Sequence, residues 1–366
     1  MKTIMTVIGT RPEAIKLAPV LKAISKSKVF VNKVCVTRQH TNLLDPFITE
    51  LGIVVDYQFE NHKNNGSLHK SAAFMLEQFS IILKEKTPDL IIVQGDTTTA
   101  FVAALSAFYL GIPVAHVEAG LRTGNSSSPW PEETHRCLIS KLTTYFFAPT
   151  EKARNALIKE GIASDKIWVV GNTSIDAIRL VKKPLKVTSE YKHKVIVVTI
   201  HRRENHGEPL IEICNALLAI AKEFFDVKIV FCLHPNPAVY QTVMAILSNV
   251  DNIDLILPMD HDSFIQLIDN SSFIITDSGG IQEEAAFLGK PILIIRNTTE
   301  RPEGIHFGTA ILVGTKSSNI IDSCRELIED NEKLLSMSKV HFSYGDGYAA
   351  QRIVTILEQN FGNINS

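Results

Sequence analysis

Short apolar runs alternate with amphipathic stretches along nearly the whole chain. Residues 4–8, 31–36, 90–93, 114–117, 145–148 and 167–170 are rich in apolar side chains without regular polar alternation, which predicts strands buried on both faces. Between them, residues 14–24, 68–83, 100–109 and 152–159 carry the apolar spacing of helices. Strand and helix in that rhythm predict a parallel sheet covered on both sides. The rhythm breaks at residues 182–194 (KKPLKVTSEYKHK), a polar stretch with a proline and no apolar period. A second series follows at 195–200, 227–233, 253–257, 273–276, 292–295 and 310–313, and residues 348–359 read as a final helix.

The expected fold class is α/β, with two doubly wound Rossmann-like domains facing a cleft. The expected division is residues 1–181, a linker at 182–194, a second domain at 195–345, and a C-terminal helix within 346–366 packing back on the first domain. Open sheets of this kind bind ligands at the carboxyl ends of their strands. The residues just beyond each strand are therefore where chemistry is to be sought.

Composition narrows the ligand. In a chain of 366 residues, 37 Lys and Arg stand against 39 Asp and Glu, leaving no general basic field for nucleic acid or a membrane surface. An anionic ligand has to be met by a local cluster instead. The five cysteines form no C-x-x-C pair, which speaks against a zinc ribbon or a disulfide framework, and the runs around Cys35 and Cys232 read as buried free thiols. The N-terminus lacks the features of a signal peptide, and the longest apolar stretch (101–115) is broken by Ser106, Gly111 and Pro113. A reduced cytoplasmic setting is expected. The twelve histidines include no H-E-x-x-H spacing, so neither a metal nor another cofactor is expected. Asp260-His261-Asp262 imitates a metal-binding D-x-D but precedes a helix, where Asp262 as N-cap is the simpler role.

The unusual polar residues do gather at strand ends. Gly9-Thr10-Arg11-Pro12-Glu13 follows the first strand, and Arg11 fits equally an anion contact or a solvated arginine on a capped turn. Asp96, in Gln94-Gly95-Asp96-Thr97, follows the 90–93 strand as either an acid or a helix cap. Glu118 ends the 114–117 strand among valines, where a carboxylate has no easy structural excuse. Glu132 and Glu133 enter a helix behind Pro129-Trp130-Pro131, where first-turn acids are also ordinary. Together these acids point to proton transfer. In the second half, His201-Arg202-Arg203 is the densest basic cluster, and Asp277-Ser278-Gly279-Gly280 opens a helix whose N–H groups suit a phosphate without a Walker lysine. Arg301 adds to the same edge.

Taken together, GTRPEAIKLAP (9–19), GDTTT (95–99), HVEAGLRTG (116–124), SPWPEE (128–133), HRREN (201–205), TDSGGIQEEA (276–285), TTERPEG (298–304) and YGDG (344–347) resemble the non-hydrolysing UDP-N-acetylglucosamine 2-epimerases from Met1 to about Leu357. The resemblance implies a glycosyltransferase-B type fold. It also implies reversible conversion of UDP-GlcNAc to UDP-ManNAc, by anti elimination of UDP to 2-acetamidoglucal and re-addition. It places the enzyme in the supply of ManNAc-type precursors for cell-surface polysaccharide, as a homodimer without nucleic-acid or membrane partners. By position, Asp96, Glu118 and Glu132 match the catalytic carboxylates and His201 the active-site histidine. Arg11, Ser278 and Gly279 match diphosphate contacts, Glu284 the ribose acceptor and Phe264 the aromatic beside uracil. Arg301 lines that pocket; Arg136, Arg202 and Gly280 complete the UDP-sugar set. Lys16 matches a cleft lysine, with a solvated helix face as its alternative. Departures occur at Gln94, at His135 and at Asn42. The last lies in a Gln39-His40 segment that several bacterial relatives use to bind UDP-GlcNAc as an activator. The competing readings are a hydrolysing 2-epimerase that releases ManNAc and UDP, or a glycosyltransferase on the same fold.

Overall fold

The computed structural model describes residues 1–37, 41–60, 67–181 and 194–360. Gln39, His40, the side chain of Asn42 and nearly all of the polar 182–194 stretch lie outside the described residues. The chain divides into two compact units: unit 1 comprises Met1–Leu180 with Gly345–Ser366, and unit 2 comprises Val181–Tyr344.

In unit 1, β1 (Lys2–Ile8), β2 (Phe30–Val36), β3 (Tyr57–Gln58), β4 (Leu90–Gln94), β5 (Val114–Val117), β6 (Tyr145–Ala148) and β7 (Ile167–Val169) form one parallel sheet, ordered β3-β2-β1-β4-β5-β6-β7. Its apolar strands serve two cores at once. Ile4 and Ile8 face one side with Leu90 and Ile92, while Met5 and Val7 face the other with Ile91 and Val93. That is the period-two consequence of a pleated strand with helices on both faces. Helix Ala349–Asn360 closes the first side, placing Ala350, Ile353 and Leu357 against the same core as Ile4 and Leu17.

Unit 2 repeats the plan. Here β8 (Lys194–Thr199), β9 (Val227–Cys232), β10 (Ile253–Ile256), β11 (Phe273–Thr276), β12 (Ile292–Ile294) and β13 (Ala310–Leu312) are ordered β10-β9-β8-β11-β12-β13, again all parallel. Ile196, Val198 and Ile200 pack on one side, Val195 and Val197 on the other. The α/β fold class read from the hydrophobic pattern is thus the observed one. What the pattern missed is β3, whose two residues are too few to show a period, and helix Thr41–Glu50, which contains Pro46. Cys232 is half-buried rather than buried, and none of the five cysteines forms a disulfide. Among the described residues no helix is long and apolar enough to cross a membrane.

In each sheet the order reverses beside its first strand: β1 lies between β2 and β4, and β8 between β9 and β11. Loops leaving the carboxyl ends of these neighbours diverge to opposite faces and open a crevice there. One further connection matters. Asp176, in helix Thr173–Arg179, accepts hydrogen bonds from the backbone N–H of Ala349 (3.1 Å) and Ala350 (2.8 Å), satisfying the start of the last helix. The chain reaches that helix through Gly345 (φ +125°), where a Cβ would come within 3.0 Å of the Gly171 Cα.

Asp176→Ala is expected to destabilise unit 1 by about 1–2 kcal/mol through loss of this cap. Urea unfolding followed by tryptophan fluorescence reads that unit, since Trp130 and Trp168 both lie in it. An unchanged midpoint would show the cap to be idle.

Candidate functional site

The carboxyl ends of β1, β4 and β5 carry a cluster of charged side chains in unit 1. Asp96 follows β4 and is not the helix cap: Thr97 is, its hydroxyl accepting from the N–H of Ala100 at 3.0 Å. The Asp96 carboxylate instead meets Arg136, at 2.7 Å from Nε and 2.6 Å from Nη2. The peptide units on either side of it are also fixed. His116 Nε2 donates to the Gly95 carbonyl (2.7 Å), and His135 Nδ1 donates to the Asp96 carbonyl (3.0 Å) while its ring stacks on Phe101. A carbonyl can only accept, so each of those ring nitrogens carries its hydrogen. Burial holds the His116 imidazole down at about 4, so the ring is neutral at ordinary pH.

Arg136 is aimed by a second acid. Glu133 binds Nη1 of Arg136 at 3.0 Å and accepts the backbone N–H groups of Thr123 and Gly124, each at 2.9 Å. Glu132 is the half-buried first residue of the same helix, Glu132–Leu142, behind two cis X-Pro bonds at Pro129 and Pro131.

Glu118, just past β5, has left-handed backbone (φ +67°), which costs a residue with a Cβ about 1–2 kcal/mol and is held by its surroundings. Lys16 forms an ion pair with its Oε2, and Gln94 Nε2 and Asn172 Nδ2 donate to the same oxygen, each at 3.0 Å. Lys16 is therefore not on a solvated helix face; it is buried against a carboxylate. Arg11 opens helix Arg11–Ile24 with its guanidinium 4.3 Å from the centroid of Phe47.

Beneath these groups lies a carboxylate that first-turn statistics place in solvent. Glu13 is fully buried and accepts from the Gly9 N–H (3.0 Å), the Thr10 hydroxyl (2.8 Å) and the Thr97 hydroxyl (2.7 Å). It reaches back as the glutamate of a capping box does, and also ties the β1 loop to the β4 loop. Burial pushes its carboxyl up to about 7, against the pull of those hydrogen bonds.

Unit 2 presents cations and backbone donors. His201 Nδ1 lies 2.9 Å from Asp277 Oδ1, and Asp277 also accepts the backbone N–H of Arg202 (2.9 Å) and the Asn205 amide (2.9 Å). Burial alone would raise Asp277, but His201 and these donors outweigh it and hold the carboxyl at about 2. Its ionised oxygen keeps a hydrogen on Nδ1 and so fixes the orientation of the ring.

Ser278 is the N-cap of helix Gly279–Leu288 and makes no side-chain cap bond. The first N–H groups of any helix lack acceptors within it. Arg301 packs on Gly279, where a Cβ would lie 2.3 Å from its Nη1. The arginines at this edge are not isolated cations. Arg301 binds Glu283 (2.6 Å) and Glu300 (2.6 Å), Arg202 comes within 3.7 Å of Glu300, and the wholly buried Arg296 binds Glu300 (2.7 Å) and Glu204 (2.9 Å). Gly280 and Glu284 lie on the same helix, with Glu284 Oε1 3.8 Å from His261 Nε2. Phe264 packs under it on helix His261–Asp269. That helix is capped by Asp260, accepting from Ser263 N–H at 2.8 Å, and not by Asp262 as the sequence suggested; the helix starts at His261, so Asp262 already lies inside its first turn. Among the described residues no group of three His, Cys, Asp or Glu side chains is arranged to hold a metal ion.

Sequence reasoning thus missed Glu13, Asn172, Asp277, Glu283 and Glu300 as parts of the site. Glu13, Asp277, Glu283 and Glu300 sat inside quoted motifs, whereas Asn172 lay outside all of them. Only the folded partner of each marks its role.

A family model described as UDP-N-acetylglucosamine 2-epimerase matches residues 22–358. The curated UDP-N-acetylglucosamine 2-epimerase of Neisseria meningitidis is 44% identical over 369 residues, covering 98% of this chain and 99% of that protein. A crystal structure of the enzyme from the same species, bound to UDP-GlcNAc, superposes with a TM-score of 0.95 at 44% identity, over 98% of this chain and 100% of that one. The Methanocaldococcus jannaschii UDP-GlcNAc 2-epimerase, in complex with UDP-GlcNAc and UDP, superposes with a TM-score of 0.86 at 33% identity, over 98% and 100% of the two chains.

Glu13→Gln tests the buried carboxyl. With a native value near 7 and an ordinary unfolded value of 4.5, the folded chain binds the extra proton between those pH values. The stability Glu13 contributes is full below 4.5 and is lost as pH rises through 7, by on the order of 3 kcal/mol. Urea unfolding of both proteins at pH 5 and pH 8 should therefore show the wild type losing ground to the variant at the higher pH. A pH-independent difference would place Glu13 in the ordinary carboxylate range.

Proposed function

The chain belongs to the UDP-N-acetylglucosamine 2-epimerase family, and on that premise we propose that it inverts C2 of UDP-GlcNAc to give UDP-ManNAc without releasing the sugar. The observation that carries the reading is the separation of chemistries: carboxylates fixed by partners and at least half-buried in unit 1, and a helix N-terminus with ordered guanidinium groups in unit 2.

The C2–H bond is too weakly acidic to be inverted by deprotonation alone. Elimination avoids the carbanion: a base takes the C2 proton, the C2–H electron pair forms the C1=C2 bond, and the C1–O bond breaks as UDP leaves. Re-addition returns the oxygen of UDP to C1 and a proton to the other face of C2. Asp96, Glu118 and Glu132 are the groups for this proton traffic, and His201, oriented by Asp277, is a further acid or base. The leaving diphosphate gains negative charge as C1–O breaks. Donors already held in place meet that charge without reorganising. Because Glu204, Glu283 and Glu300 offset the arginines, and the Ser278 N–H is taken by the Thr276 hydroxyl, the N–H groups of Gly279 and Gly280 supply much of the attraction, and Arg202 and Arg301 act as oriented donors with Arg11. Glu284 suits the two ribose hydroxyls and Phe264 the uracil face. Lys16 and Arg136 hold the carboxylates and reach the sugar only by way of them.

The same reading makes units 1 and 2 the functional domains of a cytoplasmic homodimer that feeds ManNAc-containing surface polysaccharide. Its support is resemblance to the family along the whole chain.

Incubation with UDP-GlcNAc in D₂O is expected to give UDP-ManNAc carrying deuterium at C2. Unlabelled product would sink the elimination route, and stoichiometric accumulation of UDP in the phosphorus NMR spectrum would favour a hydrolysing enzyme.

The division of roles has its own test. Asp96→Asn should abolish C2 exchange yet leave UDP binding nearly intact. Gly279→Ala, which drives a Cβ into Arg301, should weaken UDP binding about tenfold or more, as loss of a charge-assisted contact does. Calorimetry showing the reverse pattern would overturn the assignment.

A further inference from the structure

Asn172 is not among the acids and bases of the proposed reaction, yet it touches one of them. It lies just beyond β7, is 1% exposed, and caps helix Thr173–Arg179, its Oδ1 accepting the Ser174 N–H at 3.0 Å. That bond decides which way the amide faces. With Oδ1 committed to the helix, Nδ2 is the end turned to Glu118, where it donates to Oε2 at 3.0 Å. The cap and the contact share one planar group, so neither can shift without the other.

An amide nitrogen can only donate, and it does not titrate near neutral pH. Placed beside a buried carboxyl, it favours the acceptor-only, ionised form and resists rotation of the group. Gln94 Nε2 and Lys16 Nζ meet the same oxygen, from the end of β4 and from helix Arg11–Ile24. Asn172 is thus the donor that ties Glu118 to the far side of the sheet, across β6 and β7.

We propose that Asn172 is a positioning residue for Glu118, its capping bond aiming the Nδ2 donor that fixes the ionised carboxylate for proton transfer at C2. The proposal rests on the reading of Glu118 as one of the carboxylates that move the C2 proton.

Two substitutions separate this from a purely structural role. Asn172→Asp keeps an acceptor for Ser174 but turns a second carboxylate oxygen on Glu118. Asn172→Ser keeps a capping hydroxyl and removes the donor. A role confined to capping leaves both near wild type, because Asp and Ser are good caps. Positioning lowers kcat for C2 deuterium exchange about ten- to hundredfold in both, the worth of one hydrogen bond to a charged group, with Asp the worse. KM and UDP affinity stay within about twofold, on the same scale of a contact not lost. A readout independent of activity comes from Asn172→Asp combined with Glu118→Gln, which exchanges amide and carboxylate across the contact. Its Tm should exceed that of Asn172→Asp alone.

A folded Asn172→Asp or Asn172→Ser with wild-type kcat, or a double variant whose destabilisation is the sum of the two singles, overturns the proposal. If Asn172→Asp does not fold, Asn172→Ser decides the kinetic question by itself. Glu118→Gln alone separates the two levels. If it exchanges C2 normally, the reading of Glu118 fails. If it loses exchange while both Asn172 variants behave as wild type, only the positioning role fails.

Discussion

Taking a carboxylate or a guanidinium out of water costs several kcal/mol unless opposite charge or hydrogen-bond donors replace the water. The strand ends of both units are built under that constraint. Glu118 is met by Lys16, Gln94 and Asn172, and Glu13 by two hydroxyls and a backbone N–H. In unit 2, Glu300 lies between Arg296 and Arg301, with neither acid nor arginine left to solvent. Deleting one member of such a set strands its partner, so these groups come as networks and not as pairs.

The networks also fix the backbone that carries them. Asp96 is held through its own carbonyl by His135 and through the preceding one by His116, so its carboxylate leaves the chain from a defined point. Glu118 occupies a left-handed conformation that a flexible loop would abandon. Catalytic groups already oriented before the reaction need no reorganisation during it, and that is where electrostatic catalysis draws its advantage. The small conformational cost at Glu118 is set against that gain.

Much of this was legible in the chain. The apolar runs announced every strand long enough to have a period, because parallel strands buried on both faces leave a continuous apolar signature. The motifs located Asp96, Glu118, His201 and Ser278 at strand ends. What remained hidden were partners contributed by distant segments. Nothing in the local sequence says that Glu13, in a first helical turn, is enclosed by Thr97, or that Glu283 will claim Arg301. Likewise Asp260 and Asp262 are both acceptable caps by composition, and only the turn geometry chooses between them. Propensity describes a residue's own neighbourhood, whereas charge compensation is settled across the sheet.

The passage through Gly345 has a consequence for how the molecule comes into being. Unit 1 is discontinuous: residues 181–344 belong to unit 2, and only after them does the chain return to supply Ile353 and Leu357 to the core around Ile4. A ribosome reading from the N-terminus therefore finishes unit 2 before the last strip of unit 1 exists. Until then the core around Ile4 and Leu17 lacks part of its cover, and Asp176 has no helix start to receive. The half of the chain made first is the half completed last.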